Sequence, residues 1–195
     1  MNDAQPAPRE RILQSLAQLL ETAPEKRITT AGLAREVGVT EAALYRHFPS
    51  KRKMFEGLIE FAEETVFGRC QTVLANQSDV RTRLGQLTSL LLIFAERNPG
   101  ICRVLTGAAL NGEDHQLQLR ASHFFDRFET ELRQVLKNGE IEQQVRPLPD
   151  ASRAAAFLMT HLEGRIQRHT RSGFQHPPHH NWEDSWAVLE PILLT

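Results

Sequence analysis

ITTAGLAREVGVTEAALYRHFPSKRKM, residues 28–54, is the stretch that decides the fold. Leu33, Ala34 and Val37 recur at helical spacing and make one apolar face. Gly38 follows at once, where a helix end needs a residue of positive φ. Val39 fills the junction. Thr40 then serves as N-cap for a second helix that opens on Glu41, an acidic residue suited to a positive helix end. Ala42, Ala43 and Leu44 continue this helix, and Pro49 stops it. Two short helices crossed over a glycine turn form the helix-turn-helix plan, whose second helix enters the DNA major groove.

The side chains on that second helix fit the plan. Tyr45 is the single tyrosine of the chain. From Leu44 to Lys53 there are four Lys and Arg residues and no Asp or Glu. Basic and hydroxyl groups bunched in this way meet phosphate oxygens. Charge alone fits a solvated basic turn equally well; its conjunction with the capped helix pair points to DNA. Thr29 or Thr30 caps the first helix of the pair, and its hydroxyl also stands near where a phosphate would lie. The candidate DNA-contacting residues are Thr29, Thr30, Thr40, Glu41, Ala42, Tyr45, Arg46, His47 and Lys51.

Composition sets the frame around this stretch. The chain has 195 residues, enough for one or two domains with a substantial core, and a formal net charge of −1. DNA affinity must therefore come from a local patch. Residues 1–56 carry nine Lys and Arg against seven Asp and Glu, and the remaining residues carry 14 against 17. The asymmetry is mild but has the sign that DNA requires. No apolar run reaches the roughly 18 residues of a membrane span. The N-terminal MNDAQPAPRER lacks the pattern of a signal peptide and reads as a disordered polar arm over 1–8. Cys70 and Cys102 have no metal-type spacing and suit a reducing cytosol.

In chain order the pattern predicts an all-α protein of about nine helices. A helix over 9–21 has Ile12, Leu13, Leu16, Leu19 and Leu20 as its stripe and packs on the helix-turn-helix. Residues 22–27 are a polar loop with Pro24. Ser50 caps a long helix over 51–75, whose basic first turn offers a phosphate a helix N-terminus. Phe61 and Phe67 fall off its main stripe. The helix over 79–97 is apolar nearly all round and belongs at the centre of the larger domain. Asn98-Pro99-Gly100 is a stop and restart, followed by a short helix over 101–110 and a turn at Asn111-Gly112. A helix over 114–136 ends at Asn138-Gly139, and Asp150 caps the next one, which runs to about 172. His176, His179 and His180 cluster with prolines in 173–181, where a solvated flexible loop is favoured over a metal site, and the last helix covers 182–194. The domains are thus a helix-turn-helix domain over 9–50 and a helical regulatory and dimerisation domain over 51–195.

The final two helices have wide apolar faces. These would fit packing inside one protomer, or half of a four-helix dimer bundle. Helix-turn-helix proteins read two half-sites, which favours the dimer. The candidate interface residues are Phe157, Leu158, Leu162, Trp182, Trp186 and Leu189. No glycine-rich phosphate loop, zinc-binding His pair or nucleophile elbow occurs, and His161 and Glu163 sit on different faces of one helix. Neither enzyme chemistry nor a cofactor or metal is expected.

The run from Val39 to Lys51, VTEAALYRHFPSK, resembles the N-terminal domain of the TetR family of bacterial DNA-binding proteins. ERILQSLAQLLE (10–21) and FAERNPGICRVLTGAAL (94–110) resemble one branch of that family, its nucleoid occlusion factors, and the likeness extends over about 10–195. The resemblance implies an all-α homodimer, one or more per site, on palindromic double-stranded chromosomal DNA. It implies a cytoplasmic, nucleoid-associated location with no membrane partner. It also implies that the DNA-bound protein antagonises assembly of the division protein FtsZ, by holding the FtsZ C-terminal tail in a groove. The positions that match that groove are Phe61, Val66, Arg69, Leu90, Arg97 and Asn98. From the residues themselves the reading reaches an apolar groove with arginine edges. The other function open to a TetR-type chain is that of a transcriptional repressor released by a small ligand.

Overall fold

The computed structural model describes residues 7–23, 28–110, 112 and 115–195. Most of the expected polar arm (1–6), Pro24 and the rest of 24–27, Asn111 and Asp114 lie outside the described residues. Among the described residues there are nine α-helices and no strand, only an isolated bridge between Pro147 and Leu194. The helices are α1 (Pro8–Thr22), α2 (Thr30–Val37), α3 (Glu41–His47), α4 (Lys51–Asn76), α5 (Val80–Arg97), α6 (Pro99–Leu105), α7 (His115–Ile141), α8 (Ala151–Arg171) and α9 (Trp182–Leu193). None of them is long and apolar enough to cross a membrane.

Most helix starts fall where a side-chain oxygen can take an orphan backbone N–H. Thr29 Oγ1 accepts from Gly32, Thr40 Oγ1 from Ala43, and Ser50 Oγ from Lys53. Asp79 accepts from Thr82 and Asp150 from Arg153. These bonds hold the Asp79 carboxyl below its ordinary range through Thr82, and that of Asp150 through the Arg153 N–H.

The chain divides into two compact units. The first comprises residues 1–62 and 98–121, the second residues 63–97 and 122–195. In the first, Ile12 and Leu16 of α1, Leu33 of α2, Leu44 of α3 and Phe55, Leu58 and Ile59 of α4 are buried together. Arg11 of α1 donates to the Val37 carbonyl at 3.4 Å, tying α1 to the end of α2. In the second, Phe67 packs against Phe124 and Phe128, with ring centroids 5.5 and 6.5 Å away, and the Arg127 guanidinium lies 3.8 Å from the Phe67 ring centroid. Leu84, Leu87 and Leu92 of α5 are buried in the same unit, as are Leu158 and Leu162 of α8.

Two expectations from sequence are corrected. The short helix α6 begins two residues earlier than expected, with Pro99 in its first turn, and ends at Leu105; Gly107 then turns the chain at φ +78°. Helix α7 runs through Asn138-Gly139 to Ile141. Gly139 does not stop the helix. It is the point where α7 meets Val80, whose Cγ2 would lie 2.6 Å from a Cβ at Gly139. The stretch 173–181 is the expected loop, exposed at most positions, and Arg165 fastens it to α8. That guanidinium donates to the Pro178 carbonyl at 2.7 Å, to the His180 carbonyl and to Ser185 Oγ at 3.2 Å. His179 adds a 2.8 Å bond to Ser89 of α5.

Candidate nucleic-acid interface and partner cleft

The helix-turn-helix forms because each of its joints has a local cause. Gly38 takes a left-handed conformation (φ 76°) with its N–H on the carbonyls of Ala34 and Arg35, which ends α2 and redirects the chain. Thr40 restarts it. Leu33, Ala34, Val37 and Leu44 turn inward, so the opposite faces of both helices remain outside. On that outer surface stand Thr29, Thr40, Glu41, Ala42, Tyr45, Arg46 and His47, all exposed, with Thr30 and Lys51 half-buried. All nine candidate DNA residues thus lie unburied at α2, α3 and the start of α4, and contacts join Tyr45, Thr30 and Glu41.

Several of these side chains are already positioned by neighbours. The Tyr45 hydroxyl donates to Thr30 Oγ1 at 3.4 Å, and the Thr30 hydroxyl donates to Glu41 Oε2 at 3.0 Å. The Lys51 ammonium lies 5.4 Å from the Phe55 ring centroid. Arg52 and Lys53 hold the buried Glu56 carboxylate, through Nε at 2.8 Å and Nζ at 2.6 Å. The hydrogen bond from Lys53, with that from Arg52 against the opposing effect of burial, holds this carboxyl below its ordinary range.

The second unit contains an open cleft of about 630 Å³ between α4, α5 and α9. Arg69 and Val73 of α4 line it, with Leu90 and Ile93 of α5 and Trp182 and Trp186 of α9. Arg69 and Leu90, two of the groove residues taken from the sequence, therefore share one cleft. Val66 is fully buried, so it supports the core and cannot touch a partner. Phe61, a residue of the first unit, is exposed at 44 %. Arg97, at the end of α5, is exposed, and Asn98 is half-buried. The tryptophan wall was missed in the sequence. Its one local signal is Gly85, which leaves room on α5 for the Trp186 indole; a Cβ there would come within 3.1 Å of Trp186 Nε1.

The candidate dimer residues also separate. Leu158, Leu162 and Trp182 are buried inside the protomer and cannot reach a partner. Trp186 and Leu189 are half-buried. The apolar side chains that α8 and α9 leave exposed are Phe157, Val188 and Ile192.

No group of three or more His, Cys, Asp or Glu side chains that could hold a metal occurs among the described residues. His161 is pressed below its ordinary range by burial and by Arg165, while Glu163 is raised by burial, Asp126 and Glu129. Cys70 and Cys102 are buried thiols, each pushed up to about 12 by desolvation, which disfavours the thiolate.

A capped helix pair with a basic, hydroxyl-bearing outer face, joined to a larger helical unit, defines a DNA-binding regulator of the TetR class. The model of the bacterial regulatory proteins of the tetR family matches residues 12–58, and the tetracyclin repressor-like C-terminal domain of SlmA-like type matches residues 78–193. A TetR transcription regulator of known structure from Haloarcula marismortui has the same fold, with a TM-score of 0.81 at 18% identity over 96% of this chain and 98% of its own. The nucleoid occlusion factor SlmA of Marinobacter nauticus is 60% identical over 193 residues, 99% of each chain. That of a Marinomonas species is 49% identical over 186 residues, 95% of this chain and 94% of its own. The chain belongs to the SlmA nucleoid occlusion factors, a branch of the TetR family.

Proposed function

We propose that the protein binds palindromic chromosomal DNA as a homodimer and, in that state, antagonises FtsZ assembly over the nucleoid. The observation that carries this reading is identity along the whole chain, helix-turn-helix and C-terminal unit alike, with nucleoid occlusion factors. The helix-turn-helix supplies the DNA contacts through Tyr45, Arg46 and Lys51, with hydroxyls from Thr29, Thr30 and Thr40. The cleft of Arg69, Leu90 and Trp186 supplies an apolar floor edged by one cation and by two carboxylates, Glu183 and Glu190, the latter paired with Arg81; an extended tail with apolar and charged residues suits it. Lys51 and Arg69 belong to the same helix, α4.

Sedimentation of FtsZ polymers with the protein, in the presence and absence of a palindromic duplex it binds, tests the proposal. Loss of polymer that depends on the duplex is the expected result. Unchanged polymer, together with release of the duplex by a metabolite, would replace this reading with that of a ligand-controlled repressor.

A further inference from the structure

Glu41 is the one acidic residue among the nine candidate DNA-contacting positions. Thr30, Thr40 and Tyr45 carry hydroxyls, and Arg46 and Lys51 carry cations; an ionised carboxylate can only accept. Glu41 is exposed in the first turn of α3, the helix that the helix-turn-helix plan sets in the major groove. Its one side-chain partner among the described residues is the Thr30 hydroxyl, and no cation pairs with it there. A carboxylate so placed is repelled by the phosphates unless a donor of the duplex meets it.

Two donors are available in the major groove, the N4 amino group of cytosine and the N6 amino group of adenine. Adenine sets its N7 acceptor beside the amino group, and that lone pair faces a carboxylate unfavourably. Cytosine sets only a C–H there. The chemistry therefore selects cytosine. We propose that Glu41 reads a cytosine, and hence a C·G pair in fixed orientation, once in each half-site. The inference rests on the DNA-binding reading above and adds the base and the residue that reads it.

The hydrogen bonds around Glu41 suit this task. The Thr30 hydroxyl has one proton and gives it to Glu41 Oε2 at 3.0 Å, so the 3.4 Å bond from Tyr45 must run toward Thr30. The chain Tyr45 to Thr30 to Glu41 has one direction and crosses from α3 to α2 and back. It holds one carboxylate oxygen and leaves Oε1 with no donor from the described residues. Thr30 is thus a positioning residue, and Glu41 the one that touches the base.

Selection from a pool of randomised duplexes tests this, using the full chain as wild type, Glu41→Gln and Glu41→Ala, with affinities then measured for all four base pairs at each selected position. The wild type should prefer C·G at one position of each half-site by at least about fivefold, the lower end of a single specific base contact. Glu41→Ala should bring the four pairs at that position within about twofold of each other. Glu41→Gln, which offers both a donor and an acceptor, should move the preference there to A·T. Variants that keep the wild-type profile at every position would overturn the cytosine assignment, reduce Glu41 to a stabiliser of the α3 terminus, and leave the DNA-binding reading intact. A wild type that enriches no sequence at all would overturn the DNA-binding reading and this inference with it.

Discussion

The α-carbon of Gly100 faces the main-chain carbonyl of Ala17 so closely that a Cβ built there would stand 2.0 Å from its oxygen. The contact joins α6 to α1 within the first unit, and Arg103 of α6 reinforces it by donating to the Leu20 carbonyl at 2.9 Å. Backbone cannot yield as a flexible side chain can. Gly100→Ala should therefore push α6 off α1 and cost about 3 kcal/mol, the upper part of the range for an overpacked contact. Urea unfolding followed by far-UV circular dichroism measures it; a midpoint within error of wild type would show that the helices slide apart without cost.

Glu56 supplies a pH-dependent stability. Its side chain is 7% exposed and accepts from Lys53 and Arg52, with Arg120 Nη1 of α7 3.8 Å away. The folded carboxyl titrates below its ordinary value of 4.5. Its contribution is therefore fully present above about pH 4.5 and is lost as pH falls through the folded value. Glu56→Gln should cost about 2 kcal/mol at pH 7, the scale of hydrogen bonds to a charged group. The difference between variant and wild type should hold down to about pH 4.5 and close below it, as the pH falls through the lower folded value. Denaturation curves at a series of pH values check both the size and the sign.

Phe61 and Val66 lie on one helix five residues apart, yet one is exposed and the other buried. Arg69 lines the cleft and Val66 does not. Arg69→Asp should weaken antagonism of FtsZ by about tenfold or more, the effect of reversing a charge-assisted contact, and leave operator affinity unchanged. Val66→Ala should instead lower stability by about 2 kcal/mol, because it opens a cavity. Paired assays of FtsZ sedimentation, operator binding and thermal unfolding separate the two. Equal loss of antagonism in both variants at preserved stability would remove the cleft from the function.

The parts of this structure legible in the sequence are those with local causes. Thr29, Gly38, Thr40, Ser50 and Asp150 mark helix ends because cap and terminus lie within three residues of one another. The outer face of the helix-turn-helix was legible for the same reason, since two short helices leave few ways to bury Leu33, Val37 and Leu44. Gly100 and Gly139 were read as punctuation, though both are close contacts, with Ala17 and Val80. Glycine serves either role, and only a partner 83 or 59 residues away decides which. The loop over 173–181 is where the sequence puts it, but its anchor, Arg165, lies on another element and has no local signal. The tryptophan wall was hidden likewise, since the depth of Trp186 depends on a glycine of α5.

The exposed apolar side chains of the C-terminal helices give the last test. Phe157 is 52% exposed, Val188 61% and Ile192 60%, whereas Leu158 and Leu162 are sealed within the protomer. On α8 the face of Phe157 continues through Thr160 and Gly164, both exposed, and the open space at Gly164 allows a second helix to approach closely. If this face pairs two protomers, Phe157→Asp or Ile192→Asp should raise the dimer dissociation constant by about thirtyfold or more, the scale of one interface hot spot. The monomer should keep its helical content, because neither side chain belongs to its core. Palindrome binding should fall with the dimer, since the two half-sites are then met one at a time. Leu158→Ala should behave differently: it removes buried volume and should lower stability by about 3 kcal/mol. Sedimentation equilibrium beside circular dichroism distinguishes these outcomes. A Phe157→Asp, Ile192→Asp double variant that remains fully dimeric at micromolar concentration would assign dimerisation to another surface.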